Sequence, residues 1–144
     1  MSETRLNHDR HTALHPWIRD AAAGLLADGY YRLAVHHAAC TLTDYTQKKL
    51  NRYDVSDKEL MQEAFSTKPA APGKPRLRAP GCPNNRTVIS LESGAGLIAA
   101  GCYAAIRNPA SHGITSYTLE QAVEQLTVLS FTARLIEDFY VLTA

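Results

Sequence analysis

Apolar residues recur at intervals of three and four along most of this sequence, and this spacing predicts helices. Val35, Ala38 and Leu42 belong to one such stripe, over residues 30–50, and a second long stripe covers residues 119–140. Side chains at these spacings share a helix face, so each stripe marks a face that packs against other helices. No segment shows the alternation typical of a strand. We therefore expect an all-α fold, an antiparallel bundle of about five helices.

Capping signals divide the chain further. Pro16 suits the first turn of a helix that should end before residues 28–29. Ser56 with Glu59 and Thr118 with Gln121 have the spacing of capping boxes, which predict the starts of the third and last helices.

The fourth helix is expected to begin near Leu91. Pro109 disfavours helical geometry at Asn108, so this helix should end at Arg107. Gly94 and Gly101 within it cost helical propensity, which indicates close packing against another helix, of this chain or of a second copy.

Residues 66–90 hold too many prolines and glycines for a helix and are expected to form one long loop. No acidic residue lies between Glu63 and Glu92, so the loop is the basic patch of the chain. It is either a solvated linker or a site that binds an RNA backbone. The candidate RNA-binding residues are Lys74, Arg76, Arg78 and Arg86.

The 144 residues, 45% of them hydrophobic, are enough for one domain with its own core. We expect that domain over residues 14–144, after a polar N-terminal arm at residues 1–13. The formal net charge is only +1, so any nucleic-acid site must be local.

The sequence indicates a cytoplasmic protein without a membrane segment. The N-terminus lacks the apolar core of a secretory signal, and no stretch approaches about 18 consecutive apolar residues. The 3 cysteines are odd in number and form no C-x-x-C pair, which argues against disulfides and a cysteine zinc site.

Histidines raise the question of a metal site. His8, His11 and His15 have ligand spacing, but Pro16 places His15 at a helix start and no cysteine or carboxylate cluster completes a site. We expect no metal and no cofactor. The adjacent His36 and His37 diverge by about 100° on a helix, so at most one of them faces a cleft or an interface.

The segment with the clearest chemical potential is Arg107-Asn108-Pro109-Ala110-Ser111-His112. We expect the proline to bend Arg107 and His112 toward one point, where Arg107 would hold phosphate oxygens, His112 would exchange a proton and Asn108 would orient either. The structural alternative is that Arg107 contacts carbonyls or carboxylates at its helix end and His112 helps to end a turn.

Several blocks of the chain occur in an order that resembles a known family. They are Leu14-His15-Pro16, Asp28-Gly29-Tyr30-Tyr31, residues 57–66 and residues 106–112. Their order and spacing are similar to the uncharacterised Ymh-type family of prophages and bacterial defence loci, regarded as a branch of the HEPN superfamily. The resemblance spans roughly residues 14–140. The ribonuclease signature of that superfamily is Arg, a polar residue and then His, and Arg107, Asn108 and His112 match it.

The resemblance implies a function and an assembly. Two protomers would pair so that their Arg and His motifs face one cleft. The dimer would be a metal-independent endoribonuclease that serves as a toxin or antiphage-defence effector. The 2′-oxygen would attack the adjacent phosphate, so DNA should not be cut. Its partners would be RNA, a second copy, and an antitoxin or defence-system protein. The alternative is a non-catalytic HEPN module that binds RNA, a nucleotide or a partner protein.

Overall fold

The computed structural model describes residues 13–144, which form an all-α bundle, as predicted. Its elements in chain order are helices α1 (Pro16–Ala27), α2 (Tyr31–Leu50) and α3 (Asp57–Ala64), strand β1 (Arg76–Arg78), helix α4 (Arg86–Gly101), a π-helical segment (Cys102–Arg107), helices α5 (Asn108–His112) and α6 (Leu119–Asp138), and strand β2 (Tyr140–Leu142).

Helix α2 lies at the centre of the bundle, between α1, α6 and the π-helical segment. Its apolar stripe is fully buried, as the spacing of Val35, Ala38 and Leu42 predicts. The core continues into Leu126 and Ile136 of α6. The two stripes therefore meet in the core, which Ile18 of α1 and Leu60 of α3 complete.

The predicted end of the fourth helix at Arg107 is wrong, because one continuous helix runs from Arg86 to His112. Arg107 and Asn108 both have right-handed helical backbone angles. In an α-helix the ring of Pro109 would meet the carbonyl of the residue four positions earlier. The wider i→i+5 turns of the π-helical segment move that carbonyl away, so the helix continues past the proline.

The expectation that residues 66–90 form one irregular loop is wrong at two points. Strand β1 pairs antiparallel with β2, with Leu77 opposite Val141. The strands have only three residues each, too few to show the alternation on which a sequence prediction depends. Helix α4 also starts earlier than expected, at Arg86, because the Asn85 side chain accepts hydrogen bonds from the amides of the first turn.

Of the two predicted capping boxes, only that of Thr118 and Gln121 is present. Ser56 makes no side-chain capping hydrogen bond. The next residue, Asp57, has a φ of 53°, in the left-handed region, and this backbone turn changes the entry to α3.

By length and composition, Arg86–His112 is the one helix among residues 13–144 that meets the criteria of a membrane span. Core helices pass the same test, and Tyr103 and Ile106 of this helix are buried in the bundle. The expectation of no membrane segment therefore stays a prediction. Much of the apolar surface of α4 nevertheless lies outside the core, since only Ala95 and Ala99 are buried there.

The two caps allow a matched comparison of stability. Thr118→Ala removes a formed capping hydrogen bond and should lower the free energy of unfolding by about 1 kcal/mol. Ser56→Ala removes a side chain that makes no such bond, so its effect should stay within about 0.5 kcal/mol. Urea denaturation measures both, and equal losses would contradict the assignment of the caps.

Candidate functional site

Arg107 ends the π-helical segment and lies near Asp57 at the start of α3 and near Cys40 and His36 of α2; the region between these four side chains is called the crevice. Its side chain is 26% exposed, and its Nε lies 3.5 Å from Oδ2 of Asp57. At this distance the contact is an ion pair without a well-formed hydrogen bond, and Nε has no other partner. On its other side the guanidinium faces the thiol of Cys40.

A chain of hydrogen bonds holds the Asp57 carboxylate in place. The Thr43 hydroxyl donates to Oδ1 of Asp57 at 2.9 Å, and the Tyr103 hydroxyl lies 2.7 Å from the same Thr43 oxygen. Since the Thr43 proton is used by Asp57, Tyr103 is the donor in the second bond. Burial raises the pKa of Tyr103, so its hydroxyl stays protonated for this role. The chain connects the π-helical segment, α2 and α3 directly behind Arg107.

His36 and Cys40 lie one turn apart on α2, on the side that faces Arg107. Nε2 of His36 is 3.7 Å from Sγ of Cys40. Burial lowers the pKa of His36, and the positive charge of Arg107 lowers it further, with smaller contributions from His37 and Arg32 and a partial offset by Asp57. His36 is therefore neutral near pH 7 and able to accept a proton.

The thiol of Cys40 is in the reduced, protonated form. Burial raises its pKa, and this effect exceeds the opposing influence of the Arg107 charge. Cys40 acts here as a small, weakly polar contact between the imidazole and the guanidinium.

Asn108 and His112 lie elsewhere on the helix, and both are exposed. Because the helix continues through Pro109, residues five apart, such as Arg107 and His112, are rotated by about 140° from each other. The expected convergence of these two side chains within one chain is therefore wrong. Asn108 and His112, four apart, share one face.

The predicted RNA-binding residues separate into two groups. Arg76 is buried and donates to the Glu63 carbonyl at 2.9 Å, and Arg78 donates to the Ser66 and Lys68 carbonyls at 2.7 and 2.8 Å. These two guanidiniums attach the loop to the end of α3 and so stabilise the fold. This part of the loop is therefore not a solvated linker. Lys74 and Arg86 are exposed and available to a phosphate backbone.

Among residues 13–144 there is no group of three or more side chains that could hold a metal ion. His8 and His11 lie outside the described residues. His15 caps α1, where its Nδ1 accepts from the amide of Trp17 at 3.2 Å, as its place before Pro16 predicts.

The sequence did not reveal the partners of Arg107. Asp57 and Cys40 are distant from it along the chain, and the family resemblance named only the motif itself. One usable signal was the spacing of Arg32, His36 and Cys40, which places these three side chains on one face of α2.

A family model described as "Protein of unknown function (Hypoth_ymh)" matches residues 12–136. The chain belongs to this family. The Ymh-type resemblance is thereby confirmed, and membership of the Ymh-type family in the HEPN superfamily stays a prediction. Neither the curated proteins nor the solved structures contain a match.

The position of His36 beside Arg107 can be tested in solution. Titration followed by NMR should give His36 a pKa below about 6.5, the ordinary value. Arg107→Gln should raise this pKa only part of the way, since burial is the larger cause and remains. Arg134→Gln, which alters an exposed arginine on α6, is the control and should leave it unchanged.

The lowered pKa of His36 also makes the stability of the protein depend on pH. The unfolded chain protonates His36 more readily than the folded protein, so stability should fall as the pH drops below about 6.5, until the folded pKa is reached. His36→Gln should remove this part of the pH dependence. A pKa that does not respond to Arg107→Gln would contradict the arrangement.

Proposed function

We propose that this protein is a metal-independent endoribonuclease, a toxin or antiphage-defence effector, whose active site forms between two copies of the chain. The observation that carries the proposal is the accessibility of the Arg107, Asn108 and His112 side chains on different faces of one helix. In a single chain Arg107 and His112 diverge. A two-fold dimer brings Arg107 of one copy to His112 of the other.

The chemistry follows from these groups. Arg107 binds the non-bridging oxygens of a phosphodiester and stabilises the charge that develops on them. The ribose 2′-oxygen loses its proton to a base and bonds to phosphorus, while the 5′-oxygen leaves and takes up a proton from an acid. His112 serves in one of these proton transfers, and Asn108, on the same face, orients it. The products are a 2′,3′-cyclic phosphate and a free 5′-hydroxyl.

The surface of α4 supports pairing of two copies. Ile89, Leu91 and Leu97 are exposed on it, and no charged residue occurs between Glu92 and Arg107. An exposed apolar surface of this kind is typical of a protein interface. It is continuous with the motif helix, so a second copy on it would lie close to Arg107.

The alternative is a module that binds RNA, a nucleotide or a protein without cutting it. The ion pair of Arg107 with Asp57 favours the protein-binding form of this alternative, because a guanidinium paired with a carboxylate is less available to a phosphate. Asn108 and His112 form no such ion pair within the described residues.

Cleavage of total RNA in the presence of EDTA tests the enzyme. Arg107→Gln and His112→Ala should each lower the rate at least about 100-fold, the usual contribution of a general acid or base. Arg134→Gln, which alters an exposed arginine on α6, should cleave like the wild type. DNA of the same sequence should stay intact, because it lacks the 2′-hydroxyl.

Mixing the two inactive variants tests the shared site. If each site combines Arg107 of one copy with His112 of the other, half of the dimers in an equal mixture contain one intact site, and about a quarter of the activity returns. If the mixture stays inactive while the wild type cleaves, both groups act within one chain. If the wild-type protein binds RNA and leaves it intact, the enzyme proposal is wrong and the binding module is supported.

A further inference from the structure

We propose that His36 is a further catalytic residue, which shares with Arg107 of the same chain a crevice for the scissile phosphodiester and accepts the 2′-hydroxyl proton there. This inference rests on the proposed ribonuclease function and deepens it. It gives the reaction two histidines in distinct roles, with His112 of the second copy as the acid.

The geometry brings the imidazole and the guanidinium to one place. Sγ of Cys40 lies 3.7 Å from Nε2 of His36, and the charge of Arg107 acts on both side chains. Asp57, which pairs with Arg107, accepts a hydrogen bond from Thr43, about one turn beyond Cys40 on α2, and so holds the guanidinium beside the same helix face. A phosphate between the imidazole and the guanidinium would approach both.

The contact with Cys40 leaves His36 free to react. A thiol is a weak hydrogen-bond partner and occupies only one ring nitrogen, so the other nitrogen remains available to the substrate. No carboxylate is within ion-pair distance of His36 in the described residues, in contrast to His15, whose Nε2 lies 3.2 Å from Glu137.

The charges around His36 favour an anion. From α2 it is faced by Arg32 and His37, from the π-helical segment by Arg107 and from the start of α3 by Asp57. Arg32 is held in position by a hydrogen bond to the carbonyl of Ala110 in α5. Of the charged groups that shift the pKa of His36, two are arginines and one is a carboxylate, so the potential at the imidazole attracts a phosphate.

His36 is also reachable from solvent. Its half-buried side chain and that of His37 line an open groove of about 490 Å³ between α1 and α2, so the expectation that at most one of these histidines faces a cleft is wrong. The rest of the lining is mainly apolar apart from Asp20, and Arg107 is not part of it. The phosphate would therefore lie between this groove and Arg107, with the neighbouring sugar and base along the groove.

The role of base follows from the protonation state. Burial and the neighbouring positive charges keep His36 neutral near pH 7, the form that removes a proton from the 2′-hydroxyl. The resulting imidazolium lies beside the phosphate, whose negative charge stabilises it. His112 is exposed and free to act as the acid that protonates the leaving 5′-oxygen.

The test compares His36 with an exposed residue on another helix. His36→Gln should lower RNA cleavage at least about 100-fold and remove the acidic limb of the pH profile of kcat/KM, because that limb reports the free base. Arg134→Gln, which alters an exposed arginine on α6 outside the groove, is the control and should cleave within about twofold of the wild type. Thermal unfolding checks that both variants fold.

A binding measurement makes the test independent of activity and of the variants. A ribonucleoside 3′-monophosphate, titrated into the wild-type protein, should raise the pKa of His36 in NMR spectra, since a bound anion favours the imidazolium. Arg107→Gln should abolish this rise.

The outcomes separate the two proposals. If the wild type cleaves RNA and His36→Gln cleaves as fast as Arg134→Gln, the inference is overturned and the ribonuclease stands. If the wild type is inert and the nucleotide still raises the pKa of His36, the ribonuclease falls while the phosphate crevice is supported. An inert protein whose His36 does not respond to the nucleotide overturns both.

Discussion

The missing amide hydrogen of Pro109 is the constraint on which the geometry of this protein depends. The π-helical turns of residues 102–107 accommodate the proline ring without ending the helix. They set the rotation of Arg107 about the helix axis, so that it faces α2 and α3. A turn at this position would place the whole motif on an outward-facing loop. In the continuous helix, Arg107 instead lies in the crevice, while Asn108 and His112 lie on the surface.

The crevice depends on polar groups that the apolar core positions. Asp57 has a left-handed backbone, which is unfavourable for most residues and tolerated by aspartate. Its carboxylate binds both Thr43 and Arg107, and these contacts offset the backbone cost. Arg52, buried and paired with Asp54 and Glu63, fixes the connection that leads to Asp57. A strained residue held in this way at a half-open crevice is typical of functional sites.

The pairing of Arg107 with Asp57 also bears on control of the site. On the proposed function, a phosphate that binds Arg107 must compete with the Asp57 carboxylate, which would lower its affinity. The weak geometry of the pair, at 3.5 Å and one-third exposed at Asp57, makes that competition feasible. The nearby His36 and Arg32 add to the attraction of an anion. On the proposed function, this competition would favour polyanions such as RNA over free phosphate.

The sequence by itself determined the helices and the core. The stripe of Val35, Ala38 and Leu42 specifies which face of α2 is buried, because helical periodicity is a local property, and the Thr118 cap is equally local. The Arg107 motif could also be found from residue types and spacing. What the motif contacts could not be found that way.

Only the tertiary structure decided the rest. The backbone at Pro109 depends on whether packing can stabilise π-helical turns, and the pairing of β1 with β2 joins segments about sixty residues apart. The meeting of His36, Cys40 and Asp57 at Arg107 likewise depends on how three helices pack. Contacts between distant segments leave no periodic trace in the chain, and for that reason the site itself is a property of the fold.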